Sequence, residues 1–450
     1  MAEFERQPVP RSEWKDWKSF LGMYAGEHAA GTEFMIGPLF LTKGVSAFDL
    51  IVGLLLGNLL AVLSWRFLTA TVATRHRLTL YYQLEKIAGR KLVVGYNLAN
   101  GILFCFLAGS MITVSATAVG VPLALDMPKL DDTLPNGIPW ILTVVVIGAI
   151  ISIIAARGYA SVARAANWLS PLIVVAFLAC GIVALRQLGI GSFGEFWDVW
   201  NGTVSAFPVT DPWSFWHVVI WSWFANAAMH VGMSDLSVFR YADRPATGWT
   251  TAAGMYVGHY MAWIAAALLY AVFLQTPEAQ TFLGNGEAPP VAPGPLAFNA
   301  IGVFGIVAVI IAGWTTANPT IYRAGLAFQA VLPNTSTTTA TLLAGGLATI
   351  AGIFPAFAMQ LLGFVALYGF ILAPFGAIVF FDHWQRRHVD YPQLPSPEFN
   401  TNVLLAWGIS FAVCYAISVF GGVFLSFMTL PAWLGCGVLY ALLSRRGAVA

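Results

Sequence analysis

What this chain has least of is charge. Asp, Glu, Lys and Arg make up 10% of its 450 residues, against about 25% in a soluble globular protein, which excludes an ordinary water-facing surface. The net charge is +1, so no global field recruits nucleic acid or an acidic partner. Cysteine is equally sparse. Cys105, Cys180, Cys414 and Cys436 each fall inside an apolar run without metal-ligand spacing, which argues against a disulfide framework or a zinc site and for simple packing. There is no soluble domain and no low-complexity linker. The rival reading from another class, an intramembrane metalloenzyme with Glu27, His28, Glu33 and His230 as ligands, is disfavoured because there is no His-Glu-x-x-His motif or comparable paired spacing. The start, Met1-Ala2-Glu3-Phe4-Glu5-Arg6, lacks the apolar core and small-residue cleavage site of a signal peptide, and the N-terminus is expected to stay cytoplasmic.

What is abundant is apolar. Hydrophobic residues reach 58%, with 32 phenylalanines and 17 tryptophans, the composition of an all-α integral membrane protein. Twelve stretches match a helical span of about 20 residues: 18–42, 47–72, 93–122, 138–157, 160–186, 214–240, 247–274, 297–328, 338–357, 359–381, 402–421 and 424–444. Basic residues mark alternate connections. Arg75, Arg77, Lys86, Arg90 and Lys91 follow the second stretch, and Arg157 with Arg164, Arg240 with Arg244, Arg386 with Arg387, and Arg445 with Arg446 fall on the same side as Arg6, Arg11, Lys15 and Lys18. Asp126, Asp131 and Asp132 lie opposite. The positive-inside rule then places both termini in the cytoplasm of a multi-pass plasma (inner) membrane protein.

Two spans carry polar residues where lipid would forbid them. The first reads Gly26-Glu27-His28-Ala29-Ala30-Gly31-Thr32-Glu33 through its middle, and the sixth reads Trp221-Ser222-Trp223-Phe224-Ala225-Asn226 and on to His230, Gly232 and Asp235. An ionisable group at the bilayer centre costs roughly 2.5–3.5 kcal/mol on insertion scales, and so marks a cavity, an ion path or a partner. Flanking glycines point to helices that stop and restart, as transporters do at their binding sites. Two interrupted helices five spans apart predict two inverted five-helix repeats, 18–186 and 214–381, followed by two further helices over 402–444 in a single domain of residues 1–450.

Glu27 and Glu33 are six residues apart, about 240° around a continuous helix, and need not share a role. Glu27 can instead pair with a base such as Arg66, and Asp235 with Arg240. His217 and His259 read as packing or interfacial histidines. In the sixth span Trp221, Trp223 and Phe224 suit a wall for a flat substrate, and the Asn226 carboxamide can read both donors and acceptors of a heterocycle. In the eighth span, Ala312 lies one turn before Thr316, with Thr315 beside it and Asn318 just beyond. A carbonyl and two hydroxyls there supply the hard oxygens that a small cation such as sodium prefers. Pro319 lacks an amide hydrogen and frees the Thr315 carbonyl.

Gly57-Asn58, Asp235-Leu236-Ser237-Val238-Phe239, Thr315-Thr316 through Tyr322-Arg323-Ala324-Gly325-Leu326, and Ala373-Pro374-Phe375-Gly376 through Asp382-His383-Trp384 together resemble the nucleobase-cation symport family of the purine-cytosine permease type. The resemblance runs over nearly the whole chain. It implies a LeuT-like inverted-repeat fold and a symporter, not an enzyme, which imports a nucleobase or related heterocycle, with sodium or a proton as coupling ion and no cofactor. A small cationic or other polar nitrogen compound is the alternative substrate. The family's sodium site implies an alanine carbonyl and two hydroxyls at Ala312, Thr315 and Thr316, with first-span carbonyls at Ala30 and Thr32. The residues themselves, at the two breaks and on the facing spans, give the candidate substrate site as Glu27, His28, Glu33, Phe106, Trp223, Phe224, Asn226 and Asn318. Phe104 and Phe106 stand in the third span where the family usually carries a stacking tryptophan, Val238 replaces a usual arginine, and Ala317 and Pro319 replace polar residues. The partners implied are the solute, the cation and the bilayer, with the monomer as the working unit.

Overall fold

The computed structural model describes residues 4–446 apart from 131, 208, 210 and 387, with the backbone alone described at 358, 359, 361, 362, 364, 365, 445 and 446. The charges expected at Asp131 and Arg387 therefore lie outside the described residues. Among the described residues the fold is helical, the one β-type contact being an isolated bridge between Lys15 and Ala242.

Nine helices among the described residues are long and apolar enough to cross a membrane: Asp49–His76, Arg90–Leu123, Ile138–Ala155, Tyr159–Gln187, Pro245–Leu274, Val303–Val331, Ala366–Gln385, Thr401–Gly421 and Leu425–Ser444. The remaining expected spans are shorter for identifiable reasons. The first is split into Lys18–His28 and Glu33–Thr42, the sixth into Phe215–Phe224 and Leu236–Phe239, and the ninth is the 16-residue helix Thr337–Gly352. Large apolar side chains such as Phe420 and Trp168 are 89% and 81% exposed. An apolar outer surface of this kind is stable in lipid and a liability in water.

Small residues set the inter-helix distances. A Cβ added to Gly313 of the eighth span would lie 1.9 Å from Ser115 Oγ of the third, and one on Gly325 would lie 2.1 Å from Thr341 Oγ1 of the ninth. Without a hydrophobic force between helices in lipid, this close approach is what generates packing energy. The second and seventh spans contain widened, π-helical stretches at Asp49–Gly53, Trp65–Thr69 and Ala253–Tyr260. Such stretches rotate the following side chains out of the register that an α-helical reading assumes.

The connection after the fifth span forms a helix, Phe193–Ser205, started by a Ser192–Glu195 capping box. It is anchored by Trp200 Nε1 donating to the Val45 carbonyl at 2.8 Å. At the opposite end the N-terminal segment is stitched to its neighbours: Lys15 N donates to the Tyr241 carbonyl at 2.7 Å, and Asp243 N donates to that of Lys15 at 2.9 Å. The Arg6 guanidinium meets Glu85 at 2.9 Å. The Arg240 side chain is engaged here, donating to the carbonyls of Phe4 and Ser237. It is not the partner expected for Asp235. Arg66 likewise does not reach Glu27; its guanidinium lies over the Phe67 ring, 5.0 Å from the centroid.

Candidate functional site

The first span breaks because Ala29 leaves the helical region, at φ −98° and ψ 57°. The chain then restarts at Glu33, whose N–H donates to the Ala30 carbonyl at 3.1 Å, while Thr32 O accepts from Met35 and Ile36 at 2.8 and 3.0 Å. Gly31 sits where a Cβ would lie 2.8 Å from Val114, so the turn can press against the third span. The sixth span unwinds over residues 225–234, where Met233 takes a positive φ of 63°. Carbonyls released by that unwinding are claimed from outside the helix. Thr69 Oγ1 donates to His230 O at 2.5 Å and Trp433 Nε1 to Val231 O at 2.9 Å. Gly376 of the tenth span lets this turn approach, since a Cβ there would stand 1.9 Å from Val231 O.

Between the two breaks lies a buried cavity that leaves about 70 Å³ for the centres of water-sized molecules, several times the roughly 10–15 Å³ that one water needs. Glu27, His28, Glu33, Asn226, Ala30, Thr32 and Thr316, all expected at the site, lie on its wall. Trp221, His259, Trp263 and Tyr368 also line it. His259 stacks on Trp263 at 4.1 Å between centroids, and Trp221 stands 5.4 Å from Trp263. Asn226 Nδ2 is 3.3 Å from His259 Nε2.

The wall expected from Trp223 and Phe224 is displaced. Trp223 stacks on Phe224 at 4.5 Å and donates to Ser64 Oγ of the second span at 3.0 Å. Phe224 packs with Ala373, Ala377 and Trp433. Two residues on a helix are about 200° apart, so Trp221 and Trp223 face opposite ways. Phe106 is likewise off the cavity, 5.0 Å from Phe357. Asn318 is buried away from the lining, its Oδ1 without a hydrogen-bond partner.

Glu27 has a different task from Glu33. The fully buried Arg323 guanidinium meets Glu27 Oε1 at 2.5 Å and Asp235 Oδ1 at 2.6 Å, joining the first, sixth and eighth spans. Asp235 Oδ2 accepts from the Tyr24 hydroxyl and the Trp65 indole, both at 2.8 Å. Sequence reasoning missed Arg323 as an ion-pair partner because its carboxylates lie 296 and 88 positions away. Its signal was an arginine inside an otherwise apolar span. Glu33 accepts from the Trp263 indole, and among the described residues it has no cationic partner.

Hydroxyls of the eighth span point at the first-span break. Thr315 Oγ1 lies 2.9 Å from Gly26 O and 3.2 Å from Ala312 O, and Thr316 Oγ1 lies 2.9 Å from Glu27 O and 3.1 Å from Ala312 O. Five neutral oxygens therefore meet where the helix ends. The first-span carbonyls in this cluster are those of Gly26 and Glu27, in place of Ala30 and Thr32. The latter two are turned into the restarting helix, as their hydrogen bonds to Glu33, Met35 and Ile36 require. No group of three or more His, Cys, Asp or Glu among the described residues is arranged as metal ligands. The set Glu27, His28, Glu33 and His230 is not assembled, since Glu27 turns to Arg323 and His230 Nε2 lies 2.9 Å from the Trp223 carbonyl.

No family model matches the chain, and comparison with curated proteins yields no match. Solved structures do match. Mhp1, a nucleobase-cation-symport-1 family transporter in a closed conformation with bromovinylhydantoin bound, superposes with a TM-score of 0.72 at 16% identity, over 98% of this chain and 94% of that one. A Na+-coupled sialic acid symporter in a substrate-bound outward-open state gives 0.65 at 14% identity, over 95% and 89%. A manganese transporter mutant from Eremococcus coleocola gives 0.58 at 12%, over 98% of each chain. Transporters of three different solutes thus share this architecture, and the chain has the LeuT-like fold to which Mhp1 also belongs.

Proposed function

We propose that the chain is a secondary active symporter that imports a nucleobase or a related small nitrogenous heterocycle, driven by sodium entry and working by alternating access. The observation that carries this reading is the meeting of two unwound helices around one buried cavity, with an oxygen cluster beside it. Ala312, Thr315 and Thr316 with the carbonyls of Gly26 and Glu27 would hold sodium. His28, Asn226 and the Trp221–Trp263 wall would hold the solute, the carboxamide and imidazole reading ring edges while the indoles cover a face. Coupling follows when both ligands prefer the same arrangement of the first and eighth spans.

In this reading the first, sixth and ninth helices also cross the bilayer, giving twelve crossings, with five-plus-five inverted repeats over 18–186 and 214–381 and both termini in the cytoplasm. The fold match and the alternation of basic connections support it. A monomer contains the entire cavity. Purified protein reconstituted in liposomes is expected to accumulate a radiolabelled nucleobase, hydantoin or related heterocycle against its gradient when sodium is high outside. Equal uptake with and without a sodium gradient would remove sodium, and a proton gradient driving the same uptake would replace it. A second reading, a small cationic solute, rests on Glu33 having no cationic partner among the described residues.

A further inference from the structure

The two acids of the first-span break are buried alike, each 3% exposed, but their surroundings are not equivalent. Glu27 shares Arg323 with Asp235. Glu33 faces the cavity with hydrogen bonds from the Trp263 indole and the Ala30 backbone N–H, and no arginine, lysine or histidine within ion-pair distance among the described residues. An ionised carboxylate buried without a partner costs several kcal/mol, so such groups are paired, neutralised or matched to a ligand.

Three further features of the wall suit a ligand that carries the missing charge. His28 Nδ1 lies 2.8 Å from the Tyr24 carbonyl. A carbonyl only accepts, so Nδ1 carries the proton and, in the neutral ring, Nε2 is an acceptor. That Nε2 is buried without a hydrogen-bond partner. The ring is held by contact with the seventh span, where Cβ atoms on Gly254 and Gly258 would each lie 2.6 Å from atoms of His28. On the same wall, Trp221 and the side of Trp263 not stacked on His259 present the electron-rich ring surface that attracts cations. The Trp263 N–H donates to Glu33 Oε2, which orients the carboxyl.

We infer that Glu33 is the counter-ion for a positively charged, N–H-bearing group on the transported solute, an amidinium, guanidinium or protonated amine on a small planar molecule. The Glu33 carboxyl and His28 Nε2 accept its hydrogen bonds, and the Trp221 and Trp263 rings lie beside it. This deepens the transporter reading and rests on it. The solute is then cationic, not neutral, and enters alongside the coupling ion.

The full-length protein in detergent with sodium decides the point through two matched pairs of probes, guanidinium against urea and benzamidinium against benzamide, read by thermal shift and titration. The cation of each pair is expected to bind at least about tenfold more tightly than its neutral twin, the factor that one charge-assisted hydrogen bond commonly supplies. Glu33→Gln, which can still accept from Trp263, should bring the members of each pair to within about twofold, and Glu33→Asp should keep a preference for the cation. The melting temperature without probe checks that each variant folds. Absence of a cation preference in the wild type, absence of binding by all four probes, or a preference that survives Glu33→Gln overturns the inference. Sodium-driven accumulation of a neutral heterocycle together with any of these results keeps the transporter reading and removes the charged solute. Cation binding that depends on Glu33, with no gradient-driven uptake of any solute, removes the transporter reading alone.

Discussion

Arg323 and Glu27 lie 296 positions apart in sequence and 2.5 Å apart in space, with neither side chain more than 2% exposed. Because Asp235 uses the same guanidinium, one arginine serves two carboxyl groups, and the trio lies next to the oxygen cluster of the eighth span.

Removing the cation should therefore hurt more than removing one acid. Arg323→Ala strands two buried carboxylates, a loss of about 3–5 kcal/mol or failure to fold. Glu27→Gln leaves a balanced Arg323–Asp235 pair and should cost clearly less, while weakening sodium binding. Thermal unfolding of the two purified variants, with a sodium titration of the second, checks both halves.

Thr316→Ala deletes one hydroxyl of the oxygen cluster without touching the cavity's aromatic wall. Sodium-dependent stabilisation is expected to weaken by about tenfold, one lost ligand being comparable to one strong hydrogen bond, with little change in the sodium-free melting temperature. An unchanged sodium response would take Thr316 out of the cluster's function.

At the solute wall, Trp221→Ala should lower affinity by burial plus about 0.5–1.5 kcal/mol of ring stacking, while Trp223→Ala, facing the second span, should alter stability more than affinity. Asn226→Ala should blur discrimination between close analogues, because a lost geometry-reading hydrogen bond penalises the best substrate most. A binding panel of related heterocycles, measured on all three variants, separates these outcomes.

Gly258→Ala forces a Cβ to within 2.6 Å of the His28 backbone. Overpacking of this kind costs about 1–3 kcal/mol and should push the His28 ring out of position, reducing both stability and solute affinity. Gly95→Ala, with nothing within 4 Å of the added carbon, is the matched control and should leave both unchanged.

Much of the architecture was legible because lipid imposes it. Apolar length marks spans, and a buried Gly-Glu-His-Ala-Ala-Gly run is intelligible only as an interruption. The oxygen cluster was half legible: Ala312, Thr315 and Thr316 are local on one helix, whereas the facing carbonyls depend on where the first helix stops, and it stops at His28, before Ala30 and Thr32. Glu27 and Asp235 were singled out, but their common partner was not, since pairing across three spans leaves no local trace. Trp263 and His259 escaped for another reason. The π-helical stretch Ala253–Tyr260 carries His259 and runs directly into the helix that bears Trp263, which shifts helical phase, and no α-periodic reading assigns them to the cavity.

The pair of backbone hydrogen bonds between Lys15 and the Tyr241–Asp243 turn makes a mechanical harness. Lys15 is just before the first span and Tyr241 just after the sixth, so the half of the first helix that begins at Lys18 and the half of the sixth that ends at Phe239 are tied at their ends. Spin labels at positions 15 and 242 should then hold a constant separation through the transport cycle, while the distance from either label to the far end of the eighth helix, near Val331, records the stroke.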